Sequence, residues 1–271
     1  MVRRARLDAE LVRRGLARSR DHAAELVAQR RVQVHGVTAT KSATGVDPDT
    51  PLLVQPNRNE PEWVSRGARK LVGALDALIR GGPTVAGRRC LDAGASTGGF
   101  TDVLLHRGAR EVVAVDVGYG QLAWSLRTDP RVQVHDRTNV RTLQPEDIGA
   151  AADLTVADLS FISLRLVLPA LVGCTTPDGD LLPMVKPQFE VGRENLGAGG
   201  VVRDPTLRAQ AMLDVVAVAV DLGLCLVDAT ASPLPGPSGN VEYFLWLRRG
   251  PADSRRRAEE LVRAAVQAGP P

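Results

Sequence analysis

Residues 90–101, Cys-Leu-Asp-Ala-Gly-Ala-Ser-Thr-Gly-Gly-Phe-Thr, form a glycine-rich segment between an apolar stretch and a stretch with helical spacing. Glycine is favoured where the backbone turns tightly or approaches a ligand closely, and a strand, a glycine-rich turn and a helix in this order are typical of nucleotide-binding α/β folds. The spacing is not the GxGxxG of dinucleotide-binding proteins. The segment predicts a ligand site at this turn; the alternative is that its glycines serve only the tight turn of a βαβ unit.

Acidic residues near the turn favour S-adenosylmethionine over a dinucleotide as the ligand. Asp92 leads the turn, where a carboxylate attracts a cationic group and repels a pyrophosphate. Asp116 ends the next strand, and its two oxygens can accept hydrogen bonds from both hydroxyls of a ribose. Asp136 is a candidate for an adenine contact, although an ordinary solvated loop explains residues 135–139 equally well. The predicted cofactor-binding residues are Asp92, Gly94, Ser96, Thr97, Gly98, Gly99, Phe100, Asp116 and Asp136.

Strands and helices alternate along the chain on both sides of this turn. Apolar runs predict strands over residues 89–92, 111–116, 132–135, 154–158, 180–185, 225–229 and 243–247. Helical spacing predicts helices over residues 67–79, 99–106, 121–127, 164–172, 205–222 and 253–268. Such alternation predicts a parallel, doubly wound α/β sheet whose ligand site lies at the carboxyl ends of the strands, with the last helix packed on one face.

The first part of the chain has a different pattern. Leucines and alanines at helical spacing predict two short helices, the second capped by Ser19, and residues 32–37 and 52–54 predict a hairpin and an extended end. The segment that follows is polar and contains two prolines. We therefore expect a small α+β domain over residues 1–57, a linker over residues 58–64 and the α/β domain over residues 65–271.

The composition is that of a soluble globular protein, with 44% hydrophobic and 24% charged residues. Three widely spaced cysteines suggest neither a disulfide framework nor a zinc site, and we predict no metal. No apolar stretch follows the first arginines, and the most apolar segment, residues 213–227, is too short to span a bilayer. We expect a monomer in the cytoplasm that does not contact a membrane.

Positive charge is concentrated at the amino terminus. The chain has a net charge of +3, whereas residues 1–45 carry ten basic and four acidic residues and the remainder is net negative. This asymmetry indicates either a polyanion-binding segment or a solvated arginine-rich helix face. Residues 1–62 contain no Phe, Trp or Tyr, so contacts to phosphates would have to provide any affinity for RNA. The candidates are Arg3, Arg4, Arg6, Arg18, Arg20, Arg30 and Lys41.

Several motifs in the same order resemble those of the TlyA (hemolysin A) family of ribosomal RNA 2′-O-methyltransferases. Residues 6–36 are similar to an S4-type RNA-binding domain. Residues 65–71, 92–101, 158–163, 185–190 and 239–242 are similar to an FtsJ-like methyltransferase domain. The resemblance implies a seven-stranded Rossmann-like sheet of the class I methyltransferase type, S-adenosylmethionine as the methyl donor, and a cytidine ribose of 16S or 23S rRNA, in 30S or 50S subunits, as the acceptor.

The resemblance also implies four catalytic positions of the types Lys, Asp, Lys and Glu, which match Lys70, Asp158, Lys186 and Glu242. Lysine suits a ribose hydroxyl because its ammonium can donate to the oxygen and its amine can accept the proton, whereas arginine stays charged. Of the 34 basic residues only Lys41, Lys70 and Lys186 are lysines. Whether Lys186 removes the proton or stabilises the developing alkoxide is open at this stage.

Two other classes of protein compete with this interpretation. An RNA-binding protein with a vestigial methyltransferase fold would conserve the architecture without the chemistry, but the intact acidic, glycine and lysine positions argue against it. A membrane-active toxin, suggested by the older family name, would need a signal peptide, a spanning segment or an amphipathic helix with an aromatic face. The glycine-rich residues 192–200 form either a lid over the target nucleotide or simply a long loop.

Overall fold

A computed structural model describes residues 4–17, 19–55, 61–78, 82–251 and 255–270. The chain divides into two compact units, Met1–Glu62 and Trp63–Pro271. The predicted linker, residues 58–64, straddles this division, and residues 58–60 lie outside the described part.

The amino-terminal unit is a small α+β structure built around two helices. Leu7, Leu11 and Leu26 are almost completely buried in its core. The hydroxyl of Ser19 accepts a hydrogen bond from the amide of His22 at 3.1 Å, which confirms the predicted cap of the second helix. The elements are β1 (Ala5–Arg6), α1 (Leu7–Arg13), α2 (Arg20–Ala28), β2 (Val32–Val34), β3 (Val37–Thr38), β4 (Gly45–Val46) and β5 (Leu52–Val54). Strands β3-β2-β5 form one sheet, and β1 pairs with β4, which the sequence pattern did not predict.

The carboxy-terminal unit contains a seven-stranded sheet of order β11-β12-β10-β9-β6-β7-β8. Its strands are β6 (Arg89–Ala93), β7 (Glu111–Val115), β8 (Val132–His135), β9 (Ala152–Ala157), β10 (Thr175–Val185), β11 (Leu224–Ala231) and β12 (Tyr243–Arg249). Its helices are α3 (Gly67–Ala77), α4 (Gly99–His106), α5 (Trp124–Arg127), α6 (Leu164–Gly173), α7 (Pro187–Glu190), α8 (Pro205–Asp221) and α9 (Arg255–Ala268). The predicted Rossmann-like sheet is confirmed, and residue 79 of the predicted first helix lies outside the described part.

The predicted parallel sheet departs from parallel at β12, which runs antiparallel to both of its neighbours, β10 and β11. No helix separates β11 from β12, and strands that follow each other without a crossover helix pair antiparallel. Strand β10 also begins earlier than predicted, and an irregularity interrupts its pairing with β9 between Thr175 and Asp180.

Helices cover both faces of the sheet. Helices α3, α4 and α5 pack on one face through residues such as Leu71, Phe100 and Leu126. Helices α6, α8 and α9 pack on the other face through residues such as Leu168 and Met212, and Val262 places the last helix there as predicted. Within the residues described, no helix is both long enough and apolar enough to cross a membrane.

The topology brings chemistry-bearing residues to one edge of the sheet. The carboxyl ends of the parallel strands β6, β7, β9 and β10 meet there, and the amino end of β12 joins them because that strand is antiparallel. The residues at these ends are the glycine-rich turn after β6, Asp116 after β7, Asp158 after β9, Lys186 after β10 and Glu242 before β12.

Candidate active site

The four predicted catalytic residues form two ion pairs, of which Lys70–Glu242 is buried and Lys186–Asp158 is partly exposed at the aspartate. The Nζ atom of Lys70, in the first turn of α3, lies 2.5 Å from Oε2 of Glu242. The Nζ atom of Lys186 lies 2.6 Å from Oδ1 of Asp158. Both lysines and Glu242 are less than 9% exposed, so these charges are largely removed from water. Buried charges are retained at low cost only when each has a partner, and here each lysine is matched by one carboxylate.

Lys70, Asp158 and Lys186 line one cavity of about 320 Å³. The hydroxyl of Ser160 also faces this cavity and accepts a second hydrogen bond from Nζ of Lys186, at 2.8 Å. Other lining residues come from the start of α3 and from the glycine-rich turn: Ser65, Arg66, Gly67, Thr97, Gly99 and Phe100. Three cationic side chains, those of Arg66, Lys70 and Lys186, therefore lie in the wall of this cavity, which suits an acceptor that develops negative charge.

Glu242 lies behind Lys70. Its Oε1 atom is buried and accepts no hydrogen bond within the described part of the chain. The backbone of Gly236 packs so closely on this atom that a Cβ at that position would lie 2.7 Å from it. A side chain at position 236 would therefore push the carboxylate of Glu242 out of its place.

A second, larger cavity of about 500 Å³ lies on the other side of the turn and shares Gly94, Ser96, Asp158 and Ser160 with the first. Asp116 lines it, and both of its oxygens are fixed by backbone amides: Ser96 N donates to Oδ2 and Gly118 N donates to Oδ1, each at 2.7 Å. A carboxylate oxygen has two lone pairs, so each oxygen keeps one for a ligand hydroxyl.

Two glycines of the turn after β6 lie so close to neighbouring atoms that a side chain would collide with them. Gly94 has a φ of 88°, and a Cβ there would lie 2.5 Å from the carbonyl oxygen of Asp158. Gly98 has a φ of 97°, and a Cβ there would lie 2.3 Å from a methyl group of Leu126. Gly94 lines both cavities. Gly98 lies against α5 and is the N-cap residue of α4.

Asp92 lies beneath the turn rather than in a cavity. It is fully buried, and its Oδ2 accepts a hydrogen bond from the hydroxyl of Thr101 at 2.7 Å. Oδ1 has no partner among the described residues. Burial, opposed by the Thr101 hydrogen bond and reinforced by the charges of Asp158 and Asp116, raises the pKa of Asp92 to about 7. The expectation that Asp92 meets a ligand directly does not fit this position, because its carboxyl group supports the turn from below.

Asp136 lies in the loop after β8. Its Oδ2 atom pairs with Arg127 at 3.0 Å and accepts a hydrogen bond from the amide of Gly120 at 3.3 Å. Both contacts are to the same oxygen, and the adenine contact expected of Asp136 stays a prediction. The neighbouring Asn139 and Arg141 line the larger cavity. Asn139 belongs to the segment that the sequence singled out, residues 135–139, whereas Arg141 lies beyond it.

Three residues that follow β9 line the larger cavity but were not predicted as site residues. Leu159, Phe161 and Ile162 line the larger cavity, and the ring of Phe161 is 92% exposed and 5.3 Å from that of Phe189. Phe161 has a φ of 64°, an unusual conformation for an aromatic residue. The available signal was the position of these residues directly after a strand whose carboxyl end faces the site.

The glycine-rich residues 192–200 are fixed at their carboxyl end. The side chain of Asn240 accepts a hydrogen bond from Val202 N and donates one to the carbonyl of Gly200, both at 2.9 Å. Asn240 stands two residues before Glu242, so the loop is tied to the segment that carries a predicted catalytic residue.

The predicted RNA-binding side chains of the amino-terminal unit differ in their surroundings. Asp8 pairs with both Arg6 and Arg20, at 2.8 and 3.2 Å, and holds the two guanidinium groups side by side. These hydrogen bonds lower the pKa of Asp8 to about 2. Arg4 pairs loosely with Asp47 at 3.4 Å. The remaining candidates are Arg30 and Lys41, which are exposed, and Arg3 and Arg18, which lie outside the described residues.

Comparison with known proteins identifies the families of the two parts of the chain. The sequence matches the FtsJ-like methyltransferase family over residues 63–249 and the S4 domain over residues 5–51. It is 62% identical, over the full length of both chains, to the 16S/23S rRNA (cytidine-2′-O)-methyltransferase TlyA of Mycobacterium tuberculosis. It is 36% identical to the 23S rRNA (cytidine-2′-O)-methyltransferase TlyA of Campylobacter jejuni, with 68% of this chain and 70% of that relative covered.

A solved structure shares the whole architecture. The protein from Streptococcus thermophilus, provisionally named a hemolysin, superposes with a TM-score of 0.74 at 35% identity, with 99% of this chain and 98% of that chain covered. The expected family, the Rossmann-like fold and the amino-terminal S4 domain are confirmed. The chain belongs to the FtsJ-like methyltransferase family, among the TlyA proteins that carry an S4 domain at the amino terminus.

Proposed function

We propose that this chain transfers a methyl group from S-adenosylmethionine to the 2′-oxygen of a cytidine ribose in ribosomal RNA of assembled subunits, in 16S rRNA, 23S rRNA or both. The names of the relatives from M. tuberculosis and C. jejuni, at 62% and 36% identity, support this substrate. The observation that carries the proposal is the convergence of Lys70, Lys186 and Asp158 on one cavity that shares its floor, at Gly94, with a second cavity.

The larger cavity fits the adenosine part of the donor. The two oxygens of Asp116 are held apart by backbone amides and each retains a lone pair, which matches the two hydroxyls of a ribose. Gly94 leaves room for a ligand to approach the backbone. The proposed contacts of the turn are made by Gly94, Ser96, Thr97, Gly99 and Phe100, while Asp92 and Gly98 support the turn. Asp136 is the proposed adenine contact.

The smaller cavity fits the acceptor ribose. When bound, S-adenosylmethionine supplies a methyl group on a sulfonium ion that needs no further activation. The new bond joins this carbon to the ribose oxygen as the bond to sulfur breaks, and the hydroxyl proton has to leave. The protein therefore has two tasks, alignment of the oxygen with the methyl group and management of the proton.

Lys186 is the group we place next to the reacting oxygen. As an ammonium it would donate a hydrogen bond to the developing alkoxide, and as an amine it would accept the proton. Asp158 orients Lys186 through their ion pair. Glu242 orients Lys70, whose ammonium is the second cation beside the oxygen. A pH–rate profile of single-turnover methylation separates the two roles: a limb near neutrality that disappears in Lys186→Arg assigns the base, and a flat profile assigns the hydrogen-bond donor.

The amino-terminal unit would bring the enzyme to structured RNA. Its exposed arginines can contact phosphates, and the absence of aromatic residues from residues 1–62 removes base stacking as a source of sequence specificity. Selection of one nucleotide then depends on the shape of the assembled subunit and on a base that is flipped out of its stack. This substrate places the activity in the cytoplasm, and we expect the chain to act as a monomer.

Incubation of the protein with labelled donor and, separately, 30S subunits, 50S subunits and naked rRNA tests the proposal. We expect label on RNA of at least one assembled subunit, mapped to a single cytidine. Label on the protein alone, or on no RNA, would reject the proposed function. Calorimetry with S-adenosylmethionine provides the second readout, because an RNA-binding protein with a vestigial fold would not bind the donor.

A further inference from the structure

The hydroxyl of Ser160 lies where it can orient the N–H bonds of the Lys186 ammonium. A lysine ammonium has three N–H bonds in tetrahedral arrangement. Two of those of Lys186 point at acceptors in the described structure, Oδ1 of Asp158 at 2.6 Å and the hydroxyl of Ser160 at 2.8 Å. The third position of the nitrogen is left for a ligand in the smaller cavity, which Lys186 lines.

This geometry serves both chemical roles of the lysine. In the ammonium form the third position carries an N–H bond that can be donated to a developing alkoxide. In the amine form Asp158 and Ser160 can still accept the two remaining N–H bonds, and the third position carries the lone pair. In either case the two fixed acceptors determine where the reactive position points.

The loop that carries Ser160 is held at both ends. At its start, Asp158 N donates to the carbonyl of Ala93 at 3.0 Å. At its end, the buried carboxylate of Glu190 accepts hydrogen bonds from the Ser163 hydroxyl at 2.5 Å and from Leu164 N at 2.7 Å. Glu190 follows Lys186 by one helical turn, in α7, so this contact joins the segment of the lysine to the segment of the serine. The position of the Ser160 hydroxyl is therefore fixed relative to Lys186.

Ser160 also stands at the junction of the two cavities, since it lines both of them. The reacting oxygen has to lie near this junction if the donor occupies the larger cavity and the acceptor the smaller one. A small error in the direction of Lys186 at this point misaligns the attacking oxygen, and misplacement of reacting groups costs rate rather than affinity.

We propose that Ser160 is a positioning residue for methyl transfer: by accepting one hydrogen bond from Lys186, it aims the remaining position of that nitrogen at the ribose hydroxyl. The inference rests on the proposed function. It assigns to Ser160 a role that acts through Lys186.

Single-turnover methylation of the subunit that accepts label, at saturating donor, tests the inference. Ser160→Ala removes the acceptor from an exposed loop position, and we expect the rate of the chemical step to fall about tenfold. The dissociation constant of S-adenosylmethionine and the KM for the subunit should stay within about twofold of the wild-type values. Ser160→Thr retains the hydroxyl and should recover most of the rate.

Ser125→Ala is the control, because Ser125 is an exposed serine of α5 that lines neither cavity. It should leave the rate per folded molecule near that of the wild type. An unchanged rate in Ser160→Ala, an equal loss in Ser125→Ala, or a loss confined to donor affinity would overturn the inference. A wild-type protein that methylates no RNA would instead reject the proposed function.

Discussion

The three lysines of this arginine-rich chain have different environments. Lys70 and Lys186 are 5% and 8% exposed and each pairs with a carboxylate, whereas Lys41 is exposed. Their scarcity and their positions in two motifs indicated Lys70 and Lys186 from the sequence alone. Which carboxylate faces which lysine could not be predicted, because the four residues come from four distant segments that only the sheet topology brings together.

Replacement of Lys186 by arginine tests the requirement for lysine. A guanidinium keeps the positive charge but is larger, planar and unable to accept a proton. We expect Lys186→Arg to lower the single-turnover methylation rate by at least about 100-fold while donor affinity changes little. Lys41→Arg, the same substitution at an exposed position, should methylate at the wild-type rate. Equal activity of Lys186→Arg and the wild type would contradict the assignment.

The buried carboxyl of Asp92 should make stability depend on pH. Its pKa is about 7 in the folded chain against an ordinary value of 3.8, so the native state binds more protons than the unfolded state between these values. The free energy of unfolding should therefore fall as pH rises from about 4 to 7, and it should stay at the lower value above pH 7. Asp92→Asn has no carboxyl group to titrate at this position. Between pH 4 and pH 8 the free energy of unfolding of the wild type should therefore fall by about 1–4 kcal/mol more than that of Asp92→Asn.

Denaturant unfolding of wild type and Asp92→Asn across this pH range measures the effect, with Asp49→Asn at an exposed position as the control. Parallel pH curves for wild type and Asp92→Asn would show that Asp92 does not titrate in this window. The sequence indicated that Asp92 lies at the glycine-rich turn, but it did not reveal that the carboxyl group of Asp92 is buried beneath the backbone of the turn.

Among the elements, the helix α4 and the strand β8 have the bounds that the apolar spacing predicted, Gly99–His106 and Val132–His135. The helix α5 is shorter than predicted, Trp124–Arg127, because Ala123 has a ψ of 139°, outside the helical region, and the residues before it lead away to the larger cavity, which Gln121 lines. The antiparallel direction of β12 was also missed, since a periodic pattern identifies a strand but does not give its direction.

The glycine-rich turn can be tested as an element through Gly98. Alanine there would have a φ of 97° and a Cβ that overlaps Leu126 of α5, so the turn must shift. We expect Gly98→Ala to weaken S-adenosylmethionine binding by more than about tenfold, by calorimetry. Gly223→Ala is the matched control, because Gly223 also has a positive φ, 80°, but open space around it, before β11 and away from the site. Equal donor affinity in Gly98→Ala and the wild type would contradict the role of the turn.

At the scale of the whole molecule, charge and aromatic residues are divided between the two units. The amino-terminal residues 1–45 carry ten of the 34 basic residues, and all nine Phe, Trp and Tyr residues lie beyond residue 62. This division was readable from the sequence. The pairing of Arg6 and Arg20 with the buried Asp8 could not be predicted, because the sequence does not show that packing of α1 buries this aspartate.

Salt dependence of RNA binding tests the role of the basic unit. We expect Arg30→Gln to weaken binding to a subunit uniformly and to reduce the slope of log affinity against log salt concentration by about one. Arg110→Gln changes an exposed arginine that precedes β7, at the end of the sheet opposite the site, and should leave the slope unchanged. Identical slopes for Arg30→Gln and the wild type would remove Arg30 from the RNA-binding surface.

The position of the transferred methyl group tests the central claim most directly. Subunits methylated by the wild-type protein are digested to nucleosides and analysed by mass spectrometry, with subunits treated with Lys186→Arg as the blank. We predict one additional methyl group on the ribose of cytidine, protected against alkaline cleavage at its 3′ phosphodiester, and at most about one hundredth as much in the blank when both reactions are stopped within one wild-type turnover. A methyl group on a base, or equal methylation by the variant, would contradict the account.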